Sequence, residues 1–548
     1  MRFSKNAIWF SITIAIVVVI GGLFRVLSCF WGYPVPLHVD EPTIVEKTID
    51  MLSRHSWNAY VYNRPDQFEI KCNAFLFTAV SWIKYHVPAC VAFKAHEMTF
   101  YLTARLYTAL LGTALILVTS MIIGRVTESM PVQTKIAQIS GAFIVAFSTI
   151  FIKRSALATP DIPLTFIIAV FTYLFLIYLE TGEYKTFVWS CIVIGIGITI
   201  KYPAAILCIP LAFMVVYRAV IIESKPSVIA KLALKSILFI CVTIFIVAPN
   251  LYTDAGKVYT TLLREARSTH LGADGLGFTG NFLYYARTAI DNLGWESVLL
   301  ACIGVFSIIK SNLKQRYVLV IGLIFWICIS VLPLHWERWG VPVYFFYNLT
   351  VAIGIGFITN HYVSDNIKGN IVLNNTGGVI FYGFASLLSV LMLFNIFISG
   401  CAVTKCSLLT DTRISAKKYC DRNGITKNNT LYEIATPFAP KSGIYHLIVR
   451  SFNLEKSGIK IKKEYMHKKY LMFNNTFRER YLKESARYKK EIAVFEGINK
   501  KYKLLHKEIP DGNYEQQSEI IRNIKYSLQY LCSRYKTIGY TIYIYQLN

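Results

Sequence analysis

Long apolar runs recur along the chain, near residues 7–29, 103–123, 136–153, 161–180, 187–200, 203–219, 229–249, 295–310, 317–334, 341–360 and 378–399. Most approach the roughly 20 residues that an α-helix needs to cross a hydrocarbon core. The first is too long for a signal-peptide core and lacks a small-residue cleavage site, so it reads as a retained helix. The stretch 73–93, NAFLFTAVSWIKYHVPACVAF, differs: Lys84 and His86 sit in its middle and Pro88 interrupts it. It is expected to lie along the interface. The pattern then predicts eleven spans. The N-terminus and loops 124–135, 181–186, 218–228, 310–316 and 361–377 become the inner segments. Each carries at least one Lys or Arg, as the positive-inside rule asks. If 73–93 crossed instead, the basic 310–316 loop would move outside.

Composition supports a polytopic membrane protein. Mean hydropathy is +0.45, with 16% charged residues against about 25% in soluble globular chains. The net charge of +25 is expected to meet anionic lipid headgroups rather than nucleic acid. The tail from Cys401 holds 28 Lys+Arg against 13 Asp+Glu. It has helix-like basic stretches near 476–505 and 514–536 and closes on IGYTIYIYQL, an alternating aromatic strand. The expected organisation is a mainly α membrane domain, 1–400, with a first outer loop over 30–102. A basic extracytoplasmic α/β domain, 401–548, follows it. Twelve cysteines are scattered without CxxC spacing. Cys401, Cys406, Cys420 and Cys532 leave room for a disulfide if the tail is outside.

The predicted topology gathers ionisable residues at one face. These are Asp40 and Glu41; Glu69 and Lys71; Lys153, Arg154 and Asp161; Lys201; His270 and Asp274; and His335, Glu337 and Arg338. Almost none falls at the centre of a span, where a proton-coupled transporter would hold its acids. Acids on two separate loops beside several cations suit transfer of a group from a lipid phosphate. A carboxylate takes the acceptor's proton, and Lys or Arg stabilises charge on the leaving phosphate. No Walker loop, HExxH or GxSxG elbow appears in a plausible context. The competing role for these acids is helix capping: Pro42 follows Asp40-Glu41, and Asp161 precedes Pro163.

The order of motifs resembles a family. A long first helix is followed by DE in the first outer loop, then ARLYTALLG, FIKRSALATPDIPLTF and GIGITIKYPAAIL. This looks like the GT-C glycosyltransferases, in the branch of protein O-mannosyltransferases and the lipid A aminoarabinose transferase, over about residues 8–360. The resemblance implies an inverting enzyme with a polyprenyl-phosphate sugar donor at the outer face. By matching position, Asp40 would be the general base, Glu41 its partner, and Asp161 the second acid. Lys201 and Arg338, with Arg154 and Lys153, are assigned to donor phosphate, and Glu69, Lys71 and His270 to substrate. In QFEIKCNAF the family's Pro-Pro is absent and the Lys is displaced by one. The glycine-rich EARSTHLGADGLGFTGNFLYY is expected to act as a lid over the sugar.

No cofactor is required on this reading, and a divalent metal is the variant to test. The acceptor is an unidentified glycan, lipid or protein. The Lys-, Ile- and Asn-rich usage fits a bacterial cytoplasmic membrane. Two alternatives stand beside this reading: a metal-dependent GT-C enzyme with a lipid diphosphate donor, and a non-enzymatic lipid-linked sugar transporter.

Overall fold

A computed structural model describes all residues except 1–4, 131, 222–225, 268–269, 272–274, 369–375, 442–445, 456–457, 514–523 and 548. The apolar runs form helices. Among the described residues, seven helices are long and apolar enough to cross a membrane, or nine if two bent pairs each count once. Eleven spans were expected, and two shorter apolar helices, Tyr184–Ile200 and Gln315–Ser330, account for the difference.

In chain order the membrane helices begin with α1 (Lys5–Ser28). The first loop supplies α2 (Pro42–Ser53) and α3 (Gln67–Tyr85). Then come α4 (Ala89–Thr127), α5 (Thr134–Phe147), α6 (Thr149–Ser155), α7 (Asp161–Thr181) and α8 (Tyr184–Ile200). The stretch expected to lie flat, 73–93, divides between α3 and the start of α4, and α3 is not among the candidate spans. Its outward side carries Phe75, Trp82 and Ile83, all exposed.

The second half contains α9 (Cys208–Ile221), α10 (Pro226–Val247), α11 (Asn250–Thr253) and α12 (Ala255–Glu265). It continues with α13 (Gly277–Leu293), α14 (Glu296–Ile309), α15 (Leu313–Ser330), α16 (Val341–Lys368) and α17 (Thr376–Ser407). Helix α16 is the axis of the bundle: its apolar window is 89% buried, against 17% for α1. It lies so close to α14 that a Cβ at Gly304 would sit 1.8 Å from the Thr350 carbonyl oxygen, and one at Gly354 2.0 Å from that of Leu300. Backbone approach of this kind is how helices gain dispersion contact where lipid removes the hydrophobic drive between them.

After α17 the chain changes character. Strands β1 (Thr410–Asp411), β2 (Thr430–Tyr432), β3 (Phe452–Glu455), β4 (Gly458–Ile461), β5 (Tyr470–Asn474), β6 (Lys503–Glu508), β7 (Gly512–Asn513), β8 (Thr537–Gly539) and β9 (Ile542–Gln546) alternate with helices. The larger sheet has the order β2-β5-β9-β6, with Leu471 opposite Tyr545 in its centre. Helices α18 (Thr412–Arg422), α19 (Leu447–Ser451), α20 (Asn475–Lys483) and α21 (Lys489–Lys501) pack around it. The basic stretch expected to be helical over 476–505 is thus two helices, and residues 503–505 belong to β6. Of the second, 514–536, residues 524–532 form α22 (Ile524–Cys532), 533–536 are not helical, and 514–523 lies outside the described residues.

The closing alternating segment is two strands, not one. Gly539, at φ 145°, turns the chain so that β8 pairs with β1 and β9 with β5 and β6. The Thr412 hydroxyl donates to the Tyr540 carbonyl and lies 2.3 Å from where a Gly539 Cβ would stand. None of the twelve cysteines forms a disulfide, Cys401, Cys406, Cys420 and Cys532 included.

Several contacts hold the strand-rich part to the bundle, among them Lys441, which pairs with Glu46 of α2 and Glu97 of α4. Lys405, in the last turn of α17, donates to the carbonyls of Tyr530, Leu531 and Ser533 at 2.9, 2.8 and 2.8 Å, closing the C-terminal end of α22. Arg413 is paired with Asp411 and reaches the Leu37 carbonyl of the first loop at 3.1 Å. Charged hydrogen bonds contribute about 1.5–3 kcal/mol each. Lys405→Met should therefore speed amide exchange through α22, β8 and β9 by at least about tenfold, while α7 and α8 exchange as before. Unchanged protection in 524–546 would show that the cap carries no such weight.

Candidate active site

Asp40 and Glu41 are adjacent, yet their surroundings send them to different tasks. Neither caps α2: the helix starts at Pro42, and the residue before it makes no side-chain cap bond. Glu41 points inward and is fully buried. Its two carboxylate oxygens accept from Nε and Nη2 of Arg105 on α4, both at 2.7 Å, and Oε1 also accepts the Ala158 N–H at 3.0 Å. The same guanidinium donates to the carbonyls of Cys29 and Trp31 at 2.8 and 2.7 Å. A bidentate pair with its remaining donors satisfied is the geometry in which two buried charges are tolerated. Glu41, expected as a catalytic partner, therefore locks the first loop onto α4 and the turn before α7.

Asp40 faces the other way, half-buried, and pairs with Arg338 from the 3₁₀ turn Glu337–Gly340 that precedes α16. Its backbone N–H donates to Nδ1 of His38 at 3.2 Å, and its carbonyl accepts from Arg64 at 3.4 Å. Burial pushes the Asp40 carboxyl up. Arg338, Arg64 and His38 outweigh that and hold it well below the usual carboxylate range. Asp161, the first residue of α7, is buried and does not cap that helix with its side chain. Its Oδ1 accepts from Lys201 Nζ at 2.8 Å, and Oδ2 accepts from the Thr159 hydroxyl at 3.4 Å. Lys201 reaches it because α8 ends at Ile200 and Lys201 is extended (φ −156°, ψ 130°) before the 3₁₀ turn Tyr202–Leu207.

The break between α5 and α6, bent by 56°, delivers Lys153 and Arg154 to the same region. Arg154 meets Glu337 at 3.4 Å, and the half-buried Lys153 lies in the field of Glu337. Arg64 closes the group. It pairs with Asp66 at 2.6 Å, and Asp66, Asp40 and Asp161 together raise its basicity against the effect of burial. Four carboxylates (Asp40, Asp66, Asp161, Glu337) and four cations (Arg338, Arg64, Lys201, Arg154) thus interlock where helix ends and loops meet.

Glu69 sits one helical turn from Asp66 on α3, buried, with Oε2 lacking a hydrogen-bond partner in the protein. Burial first, then the Asp66 carboxylate, pushes it well above the usual range. Lys71 does not join the cluster. It turns to Gln67 Oε1 at 3.2 Å and lies 5.0 Å from the centre of the Trp57 ring, and burial brings its ammonium down to about 8. His270 is also set apart. Its ring meets Trp336 edge-on at 5.1 Å, and Trp336 in turn lies beneath Arg338. Its neighbour Leu271 is buried in the core of the strand-rich part. The described part of the glycine-rich loop is therefore anchored there; residues 268–269 and 272–274 lie outside the described residues.

Among the described residues no group of three His, Cys, Asp or Glu side chains is placed to hold a metal ion. The site's carboxylates, Glu69 excepted, each already face a cation. Arg105, Arg64 and Asp66 received no role from the sequence. A lone arginine inside the apolar run around ARLYTALLG was the available signal for Arg105; NRPDQ reads as an ordinary solvated turn.

Residues 101–252 match the family described as dolichyl-phosphate-mannose-protein mannosyltransferase. The Archaeoglobus fulgidus oligosaccharyltransferase, solved tethered to an acceptor peptide containing an NVT sequon, is 11% identical with a TM-score of 0.53, covering 89% of this chain and 72% of that one. ArnT from Cupriavidus metallidurans in the apo state is 12% identical with a TM-score of 0.48, covering 77% of this chain and 73% of its own. ArnT bound to undecaprenyl phosphate is 11% identical with a TM-score of 0.47, covering 88% and 95%. No curated protein matches the sequence. The chain is an integral, multi-pass membrane protein that resembles the mannosyltransferase family over residues 101–252 and shares its fold with the archaeal oligosaccharyltransferase.

Removing one member of a buried ion pair costs about 3–5 kcal/mol because the other charge is left without a partner. Arg105→Ala should destabilise the purified protein by that order in a denaturant titration. Glu41→Gln with Arg105→Gln should recover part of the loss. A stability equal to wild type in Arg105→Ala would remove the pair from its structural role.

Proposed function

We propose that this protein transfers a sugar from a polyprenyl monophosphate carrier to an acceptor hydroxyl at the extracytoplasmic face, with inversion at the anomeric carbon. The observation that carries the reading is the interlocked cluster, above all Asp40 on Arg338 beside Asp161 on Lys201. A sugar–phosphate diester bears one negative charge. When the anomeric carbon–oxygen bond breaks, the departing lipid phosphate bears two. Cations that meet the added charge stabilise the transition state more than the bound donor, which is the condition for acceleration.

Arg338, Arg64, Lys201 and Arg154, with Lys153 behind them, supply those cations. Asp40 takes the proton of the acceptor hydroxyl as its oxygen bonds to the anomeric carbon, and the leaving phosphate carries away the electron pair. Paired with Arg338, Asp40 is a poor base. A donor phosphate that draws Arg338 toward itself relieves that pairing and raises the basicity of Asp40, so the base becomes effective when donor is in place. Asp161, held by Lys201, orients acceptor or sugar. Glu69, with an unpartnered buried oxygen, is suited to accept or donate a hydrogen bond to a sugar hydroxyl. The strand-rich domain 401–548 faces the outer headgroups with its basic surface. The family match to mannosyl transfer from a dolichyl phosphate supports this donor class over a diphosphate.

Asp40→Asn should lower transfer by about 10²–10⁴-fold at unchanged expression. The readout is mass spectrometry of glycans from cells carrying each form, and near-normal product would exclude Asp40 as the base. Turnover in isolated membranes should survive EDTA. A loss with EDTA, restored by a divalent cation, would favour the metal-dependent alternative. Binding and flipping of the lipid with no glycosidic product would favour the transporter.

A further inference from the structure

Helix α12, Ala255–Glu265, has no buried residue along its length. Its sequence, AGKVYTTLLRE, is nevertheless divided cleanly: Ala255, Val258, Tyr259, Leu262 and Leu263 share one face, and Lys257, Thr260, Thr261 and Arg264 share the other. Tyr259 is 64% exposed and Leu263 58%. An unpartnered apolar face on a helix this polar elsewhere needs a partner outside the chain.

The position of α12 identifies that partner. Only residues 248–254 separate it from α10, a candidate membrane span. The lipid-facing side of α10 ends on Phe245 and Ile246, both largely exposed. Exposed apolar surface continues through Tyr252, whose ring lies 6.0 Å from Phe245 and whose hydroxyl reaches back to the Cys241 carbonyl at 3.1 Å, into α12. At its start α12 is fixed to the body of the protein: Asp254 accepts from the Tyr62 hydroxyl and from Lys257. Tyr62 lies two residues before Arg64, so this anchor is on the face of the membrane that holds the ionic cluster.

We propose that α12 lies in the plane of the membrane on that face. Val258, Tyr259, Leu262 and Leu263 enter the boundary between headgroups and acyl chains, and Lys257 and Arg264 turn to water. Continuity with the lipid-facing side of α10 favours the bilayer over a second protein. A helix of this kind is held by its apolar area and stays parallel to the surface. The bilayer then completes the wall beside the strap that carries Tyr62, Arg64 and Asp66.

The test uses the full-length chain in nanodiscs of phosphatidylcholine and phosphatidylglycerol containing a radiolabelled lipid. A benzophenone amino acid is placed at Leu263 in one variant and at Arg264 in another; both positions are exposed, so neither substitution disturbs a core. On irradiation, lipid adducts should form at least about fivefold more at position 263 than at 264. Equal yields at the two positions, or no lipid adduct at either, would overturn the proposal. A covalent dimer as the main product at 263 would also overturn it, because the face would then belong to a second copy.

Discussion

Burying Glu41 and Arg105 removes two full charges from water, and the protein recovers that cost through five hydrogen bonds that tie four separate segments together. The pair joins the end of the first membrane helix, the start of α2, the middle of α4 and the turn before α7. Asp40 is the next residue along the chain. Its direction is set because its neighbour cannot move: a shift of Glu41 would leave a buried guanidinium unpaired. Trp31 lies against both Arg105 and Arg413, so the loop is gripped from the bundle and from the strand-rich part at once. The cluster around Asp40 depends on this clamp.

Outside the clamp the charges are balanced differently. Asp40, Asp161, Asp66 and Glu337 are each held by a single principal cation, half-buried to buried, with oxygens or nitrogens left over. Such an arrangement is near neutral as it stands and open to exchange of partners. In the proposed reaction an incoming phosphate competes for cations that now neutralise carboxylates, so binding the donor and activating the base become one electrostatic event. The clamp and the cluster thus divide the labour. Full pairing in the dry interior keeps geometry, and partial pairing at the helix ends leaves chemistry available.

Much of this was legible along the chain. The long apolar runs specify helices because a backbone in hydrocarbon must satisfy its own hydrogen bonds. The placing of acids and cations at the ends of those runs marked Asp40, Asp161, Lys201, Arg154 and Arg338 as neighbours in space, and the structure brings them into contact or mutual field. Asp40 was expected as the base and Glu41 as its catalytic partner, but adjacency says nothing about which way each side chain turns, and Glu41 turns inward to Arg105. Lys71 was drawn toward the site by its neighbour Glu69, yet an aromatic ring and Gln67 take it elsewhere. The final aromatic segment alternates as a strand should, and no local signal shows that Gly539 sends its two halves to different sheets.

By itself, then, the sequence determined the membrane-spanning class, the approximate helix ends and the set of charges near them, because hydrophobic length and local charge are properties of the chain read in order. Only the tertiary structure decided which carboxylate is sealed with Arg105 and which is left to Arg338, that Arg64 and Asp66 belong to the cluster, and that the strand-rich part is tied to the first loop through Arg413. Those assignments depend on contacts between residues as far apart as Asp40 and Arg338 or Leu37 and Arg413, and on the low dielectric of the space they share. Neither is encoded in any local stretch.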